Sequence, residues 1–348
     1  MKHLIRLLLC CLLLAPAICR ANDGFGGLSA TGLHFHKNAS VRMLAEDLFL
    51  SPGQVRVRSV FRNEGAMDVQ GEVIFPLPPI SLAALTDSGF ALSEQQLARE
   101  NVVDFIASVN GQRIPVQSDR IAVREPHFEA QRPLSAGYDT PGEDVTAVLK
   151  ELGIPLSLNV TEVAAMIARL PQPSKDRLRA GKLADFFDGE PPRPAWSIIV
   201  RYHWPQVFPA GREITIDHRY APAPPGGIFS WPKQERDLDP YQRELIQTYC
   251  IDDTTRKGLV KRLHHASAGE LAGTGTALFL DYVLTTANTW HGPIGTFRLT
   301  IDKGSPDNIL SLCMDGIRKT GPTTFVVEKT NFTPTEDLRL LIVSRLAQ

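Results

Sequence analysis

After residue 18 the chain has no apolar run long enough to cross a bilayer, which excludes a spanning helix from everything downstream. Neither charge is in excess: 37 Lys and Arg stand against 38 Asp and Glu. That balance argues against nucleic acid as the partner and against electrostatic docking on anionic lipid. Cysteine is scarce, with five in the whole chain, and no pair has the C-x-x-C spacing of a zinc or redox site. No Gly-x-Ser-x-Gly elbow is present, so serine-hydrolase logic fails. Gly273-Thr274-Gly275-Thr276 lacks the lysine of a phosphate loop and the third glycine of a dinucleotide site; it reads as a loop before a strand. No cofactor and no metal are expected.

What is present begins with an export signal. Lys2, His3 and Arg6 precede the apolar stretch 7–18, and Cys19-Arg20-Ala21 places small residues for cleavage after Ala21. Residues 1–21 therefore read as a signal peptide. Ile18 is too large for the site before Cys19 that lipid attachment needs. Cleavage would leave 34 basic against 38 acidic residues, since Lys2, Arg6 and Arg20 depart. It would also remove Cys10, Cys11 and Cys19, leaving Cys250 and Cys313. Two cysteines in an exported protein predict one structural disulfide.

The rest reads as mainly β. Val55, Val57 and Phe61 alternate with Arg56 and Arg58, a period of two that marks a strand with one buried face. Asn110-Gly111 between two short strands is a hairpin signal, because both residues tolerate positive φ, and Pro115 places the second strand at an edge. Ser93–Gln96 starts a short helix. Thr140-Pro141-Gly142-Glu143 reads as a capping box opening a helix, Asn159 opens a second, and 174–187 is a third. Pro191-Pro192-Arg193-Pro194 reads as a stiff linker. Strands resume at Trp196, with Trp204–Gly211 as a turn, then Ile214, Ile216, His218 and Tyr220 alternating with polar residues. Helical patterns follow at 241–249 and 254–265, and strands return from Ala277, above all Phe297, Leu299 and Ile301. The expected architecture is mainly β, with two β-sandwich-like regions and a small helical insert between them. Its parts are an N-terminal sandwich at 22–138, insert and linker at 139–190, and a C-terminal sandwich at 191–348 with a helical excursion at 240–265. Whether the two β regions are separate stays open.

Met43-Leu44-Ala45-Glu46-Asp47-Leu48, Phe75-Pro76-Leu77-Pro78, Trp204…Gln206…Phe208-Pro209-Ala210-Gly211 and Thr285…Asn288…Trp290…Gly292-Pro293-Ile294 occur in that order. With these motifs the chain resembles a family of exported bacterial proteins known as a domain of unknown function, DUF4424. The resemblance covers nearly the whole mature chain. It implies a Gram-negative envelope protein, periplasmic or secreted, and carries no activity, cofactor or catalytic residue. Residues 55–78 also resemble the strand–Asn–strand–Phe-Pro-Leu-Pro pattern of the vault/inter-alpha-trypsin β-sandwich domain, which implies an adhesive or interaction role by analogy.

Candidate chemistry is sparse. His34 and His36 share one face of a strand, a spacing that can bind a transition metal, and Met43 could add a soft ligand, but a site needs a third and usually a fourth ligand that the sequence does not locate. The plainer reading leaves Leu33 and Phe35 facing the core and both histidines in water. His264-His265 on a helix point in different directions and read as solvated. Glu46-Asp47 and Asp252-Asp253 are adjacent carboxylates, whereas glycoside hydrolysis needs two facing each other across the bond. They read instead as a turn cap before Ser51 and a helix start at Thr254. Asn38, Asn159 and Asn331 match the N-glycosylation pattern by chance. Trp204, Trp231 and Trp290 sit in apparent turns and offer a ligand platform if exposed, or plugs for the ends of the sandwich if not. The function expected is non-catalytic binding of an envelope protein or polymer. The alternative is a hydrolase of envelope glycans, with its site between the sandwiches.

Overall fold

The computed structural model describes residues 23–29, 32–87, 92–125, 142–222, 224, 226–264 and 272–346. The export signal lies outside them, as do Thr140, Pro141 and His265. Along the chain come β1 (Gly24–Ser29), β2 (Gly32–Phe35), β3 (Val41–Ser51), β4 (Gln54–Asn63), β5 (Val69–Pro76) and β6 (Ile80–Ser81). Two short helices, α1 (Leu82–Asp87) and α2 (Glu94–Leu97), precede β7 (Ile106–Val109), β8 (Gln112–Ile114), β9 (Gln117–Arg124) and β10 (Glu143–Asp144). The insert holds α3 (Thr146–Glu151), α4 (Val160–Arg169) and α5 (Gln172–Ala180), then β11 (Ala184–Asp185) and β12 (Arg193–Pro194). Next are β13 (Ser197–Phe208), β14 (Glu213–Tyr220), β15 (Gly226–Ser230), α6 (Pro240–Thr248) and α7 (Asp253–His264). The chain closes with β16 (Thr274–Tyr282), β17 (Ile294–Asp302), β18 (Ile309–Leu312), β19 (Arg318–Lys319), β20 (Thr324–Phe332) and β21 (Leu338–Arg345).

The fold is mainly β. An eight-stranded sheet runs β19-β20-β17-β3-β4-β14-β7-β8, and a seven-stranded sheet runs β10-β9-β13-β5-β1-β2 with β6 also on β13. Both draw strands from either side of the helical insert. β13 pairs with β5 and β9, β14 with β4 and β7, and β17 lies parallel to β3. The two expected β regions are therefore interleaved, and a boundary at 139–190 cuts through both large sheets. Local pattern marks each strand, but it carries no information about which distant strand becomes the neighbour.

The inner faces of the two sheets meet in an aromatic layer. Phe61 on β4 meets Phe208 on β13 edge to face, with ring centres 5.8 Å apart. Phe105 lies parallel to Tyr202 at 4.6 Å. A third sheet, β15-β16-β21-β18, packs on both faces along its central strands. Leu280, Tyr282, Leu338 and Leu340 join the sandwich core, while Ala277, Leu341 and Val343 pack with Leu245, Leu259 and Leu263 of α6 and α7.

One irregularity decides which residues of β3 face outward. Its register against β4 shifts between Met43 and Ala45, a β-bulge at Leu44. Val41 and Met43 are buried before the bulge; Glu46, Leu48 and Leu50 are buried after it. The slip changes the phase of the alternation and sends Asp47 and Phe49 to the outer face. Gly295 on β17 accommodates it: a Cβ there would lie 2.4 Å from the Leu44 carbonyl oxygen.

Several boundaries differ from expectation. Trp204–Phe208 continues β13 rather than turning, and the reversal falls at 209–212. Pro205 is accommodated within that strand, paired in register with Glu72. Glu143-Asp144 pairs with β9 as β10, so the helix starts at Thr146, and 174–187 is helical only to Ala180. The proline-rich linker is pinned by β12 pairing with β11. The Asn110-Gly111 hairpin, with both φ positive, and the edge position of β8 are as the sequence reads.

Cys250 and Cys313 are joined, with Cα atoms 5.1 Å apart, tying the end of α6 to the segment after β18. Cys250 has φ +52° and follows the helix cap Tyr249, a position that usually holds glycine. Ile251 N–H donates to the Ile246 carbonyl and closes the helix. No helix among the described residues is long and apolar enough to cross a membrane.

Candidate functional site

The tryptophans do not form a ligand platform. Trp204, Trp231 and Trp290 are 1%, 3% and 1% exposed. Trp204 faces the sandwich core from β13, and Trp231 stacks on Phe229 beneath α6 and α7. Trp290 packs against Phe25, Phe61 and Phe208, and its Nε1–H donates to the Asp23 carbonyl. The burial of these large apolar rings outweighs the turn-like residues around them in sequence.

The metal and carboxylate candidates are placed as follows. His34 and His36 lie in and just beyond β2 and are exposed, while Met43 is buried on the inner face of β3. No group of three or more potential ligands forms a metal site among the described residues. Glu46 lies inside β3 and is buried, so Glu46-Asp47 caps no turn; strand alternation puts the two carboxyls on opposite faces, and the bulge sets Glu46 as the inward one. Asp252 does start a helix: its carboxylate accepts from Thr255 N–H at 2.7 Å, and that bond first, with the Thr255 side chain, lowers its pKa. His264 is half-buried rather than free in solvent, and its Nε2 lies 2.8 Å from the Trp231 carbonyl. Asn38 caps the turn into β3 through Ser40 and Val41 N–H, and Asn159 caps α4.

Sequence reading missed a set of polar groups inside the sandwich. The Asp23 and His218 side chains are fully buried, with Oδ2 and Nε2 3.0 Å apart. The imidazole is flanked by Phe75 and Phe105, at 4.7 and 5.2 Å between ring centres. Burial raises the pKa of Tyr220, and the Asp23 carboxylate adds to it. Tyr282 is raised well above its ordinary value, again by burial first, with Glu46 and Asp23 contributing. Burial also pushes Tyr202 up to about 12. These groups converge, but in a closed aromatic core rather than a cleft. Asp23 and Glu46 cannot flank a glycosidic bond from there. The alternation of His218 with Asp217 and Arg219 signalled its burial; nothing local identified Asp23 as its partner.

The open feature lies on the opposite face of the eight-stranded sheet. A groove of about 760 Å³ crosses β17, β3, β4, β14, β7 and β8, and five arginines and two aspartates line it. The alternation of each strand places them there: residues whose neighbours fill the core point outward. In one row across the strands, Arg298, Asp47, Arg58 and Asp217 are successive register partners, so charge alternates. Arg58 binds Asp217 at 2.9 Å, and Arg298 lies 3.6 Å from Glu328. In the next row Phe49, Arg56 and Arg219 are successive partners, and no carboxylate separates the two arginines. Arg56 covers the Phe49 ring at 4.3 Å. Arg113 lines the same groove from β8. No carboxylate among the described residues forms an ion pair with Arg56, Arg113 or Arg219.

Comparison with known proteins adds the following. No curated protein matches the chain. A candidate nutrient-binding protein from Legionella pneumophila is similar over 88% of this chain and 68% of its own, at 15% identity and a TM-score of 0.44. An M1 zinc metallopeptidase from Deinococcus radiodurans is similar over 89% of this chain, at 11% identity and a TM-score of 0.26, and the chain spans 43% of that protein. At these values neither neighbour's activity carries over. Residues 21–341 match the model of a family described as Domain of unknown function (DUF4424), and the chain belongs to this family.

Proposed function

We propose that this chain is a non-catalytic binding module of the bacterial envelope. Its ligand, an envelope protein or polymer, docks on the outer face of the eight-stranded sheet. The observation that carries this reading is the open groove in which Arg56 and Arg219 stand side by side with no carboxylate partner among the described residues. Like charges directly opposite across a strand pair are destabilising, so a compensating ligand gives the pair a role that folding does not. The catalytic alternative lacks support of this kind, since the converging carboxyls and imidazole lie in the closed core. Export to the periplasm or beyond rests on the leader pattern of residues 1–21, and the Cys250–Cys313 bond fits an oxidising compartment.

The test is retention of envelope components by the immobilised mature protein, compared with a Thr300→Trp variant that fills the groove from β17. Components held by the wild type and released by the variant support the reading. Equal retention by both, or no retention above a blank matrix, overturns it.

A further inference from the structure

We infer, building on the outer face as the binding face, that its ligand carries a phosphoryl group gripped between Arg56 and Arg219. The two are direct register partners on β4 and β14, so their Cα atoms are about 5 Å apart. Both side chains are exposed and leave the same face of the sheet. The neighbouring row shows how this sheet handles charge when only folding is at stake: Asp47 and Asp217 alternate with Arg298 and Arg58. Arg42 and Arg62 also face each other on this sheet, but Glu64 and Glu213 pair with them. Arg56 and Arg219 have no carboxylate partner among the described residues, and Arg113 adds a third guanidinium to the groove. Five arginines against two aspartates leave the lining with an excess of three positive charges, on a chain whose total is −1.

The shape of the anion follows from the donors. A guanidinium is a planar fork that a carboxylate saturates with its two oxygens. A phosphoryl group, with three oxygens and up to two negative charges, meets two such forks bidentately at once and balances both charges, whereas a carboxylate, with two oxygens and one charge, meets only one fork that way. Arg56 is also held in place, since it covers Phe49, and less side-chain freedom is lost when it binds. The phosphoryl group is an ester carried by the envelope polymer; a phosphorylated lipid headgroup, which presents the same oxygens to the clamp, is the alternative that the vesicles test.

The experiment uses the mature full chain and two phosphate probes. Inorganic pyrophosphate is titrated calorimetrically at low ionic strength, and phosphatidylcholine vesicles containing phosphatidic acid are co-sedimented with the protein. Citrate serves as the carboxylate control. Arg56→Gln, Arg219→Gln, the double variant and Arg236→Gln are compared, the last removing an equal charge from an exposed site outside the groove. Circular dichroism confirms that each variant is folded. The expected result is that pyrophosphate binds the wild type and citrate binds more weakly. Each groove variant should lose affinity about tenfold or more, as for a charge-assisted hydrogen bond. The double variant should lose little beyond the singles, because one arm of a clamp does not work alone, and Arg236→Gln should bind as wild type. Vesicle binding with the same variant pattern assigns the headgroup as the source; pyrophosphate binding without it supports the polymer ester. The inference is overturned if neither phosphate probe binds, if citrate matches pyrophosphate, or if Arg236→Gln loses as much as Arg56→Gln. If that happens while Thr300→Trp still releases envelope components, the binding face stands and only the ligand class falls.

Discussion

Replacing both Cys250 and Cys313 by Ser removes a link that closes a loop of 63 residues. In the chain-entropy account, freeing a loop of that length in the unfolded state costs about 4 kcal/mol of stability. A chain of this size unfolds with an entropy of about 0.7 kcal/mol/K, so the midpoint should fall by about 6 °C. The structure adds a second effect with its own control. Cys250 holds φ +52°, and a side chain in that region costs about 1–2 kcal/mol. Serine keeps that cost, whereas Cys250→Gly with Cys313→Ser removes it. The glycine variant should therefore melt above the double-serine variant yet below the wild type. Differential scanning calorimetry gives the midpoints, and hydrogen exchange should show the loss first in α6 and its junction to α7, where Tyr249 and Ile251 pack into the second core. If the double-serine variant melts within a degree of the wild type, the link stabilises nothing. If the glycine variant is the less stable of the two, the cap argument is wrong.

The buried pair gives a further test. Asp23→Ala leaves the His218 N–H without its acceptor in a closed core and should cost about 1–3 kcal/mol. Asp23→Ala with His218→Ala should cost less than the sum of the singles, as read from urea unfolding. Gly295→Ala places a Cβ 2.4 Å from the Leu44 carbonyl and should destabilise by about 1–3 kcal/mol, with a matching loss of ligand binding because the bulge that turns Asp47 and Phe49 outward is displaced. Asp281 supplies a pH dependence. Burial pushes its carboxyl up to about 7, with Asp337 adding to the rise and Arg339 opposing it. The folded state then holds a proton that the unfolded state releases near pH 4, so this contribution is full below that point and is lost as pH rises through 7. The slope in that window should reach about 1.4 kcal/mol per pH unit, and Asp281→Asn should flatten it; an unchanged slope in the variant would place the titration elsewhere.

The strands were readable because their two faces differ. Phe297, Leu299 and Ile301 are buried and Arg298 and Thr296 are exposed, as the alternation requires. The pairing of β17 with β3, and of β13 with both β5 and β9, was not readable, because it depends on contacts across distant parts of the chain. The bulge is a phase slip between Met43 and Glu46, and an acidic residue at an apolar position reads as a turn rather than as that slip. The tryptophans misled because turn-forming neighbours around Trp204 sit within a continuous strand. The groove was hidden more thoroughly. A near-neutral total averages away a local excess of arginine, and Arg56 and Arg219 are 163 positions apart by their numbers before the sheet sets them side by side.

The claim that the outer face of the eight-stranded sheet is the binding face has a direct measurement. A photoreactive benzoylphenylalanine is placed at Ser108, which lines the groove, and separately at Val207, which is 42% exposed on β13 of the other large sheet. Each variant is illuminated in its own envelope. The account predicts a discrete adduct from position 108 that disappears when Arg56 and Arg219 are both Gln, and none from position 207. An adduct from position 207 alone, or equal adducts from both positions, would contradict it.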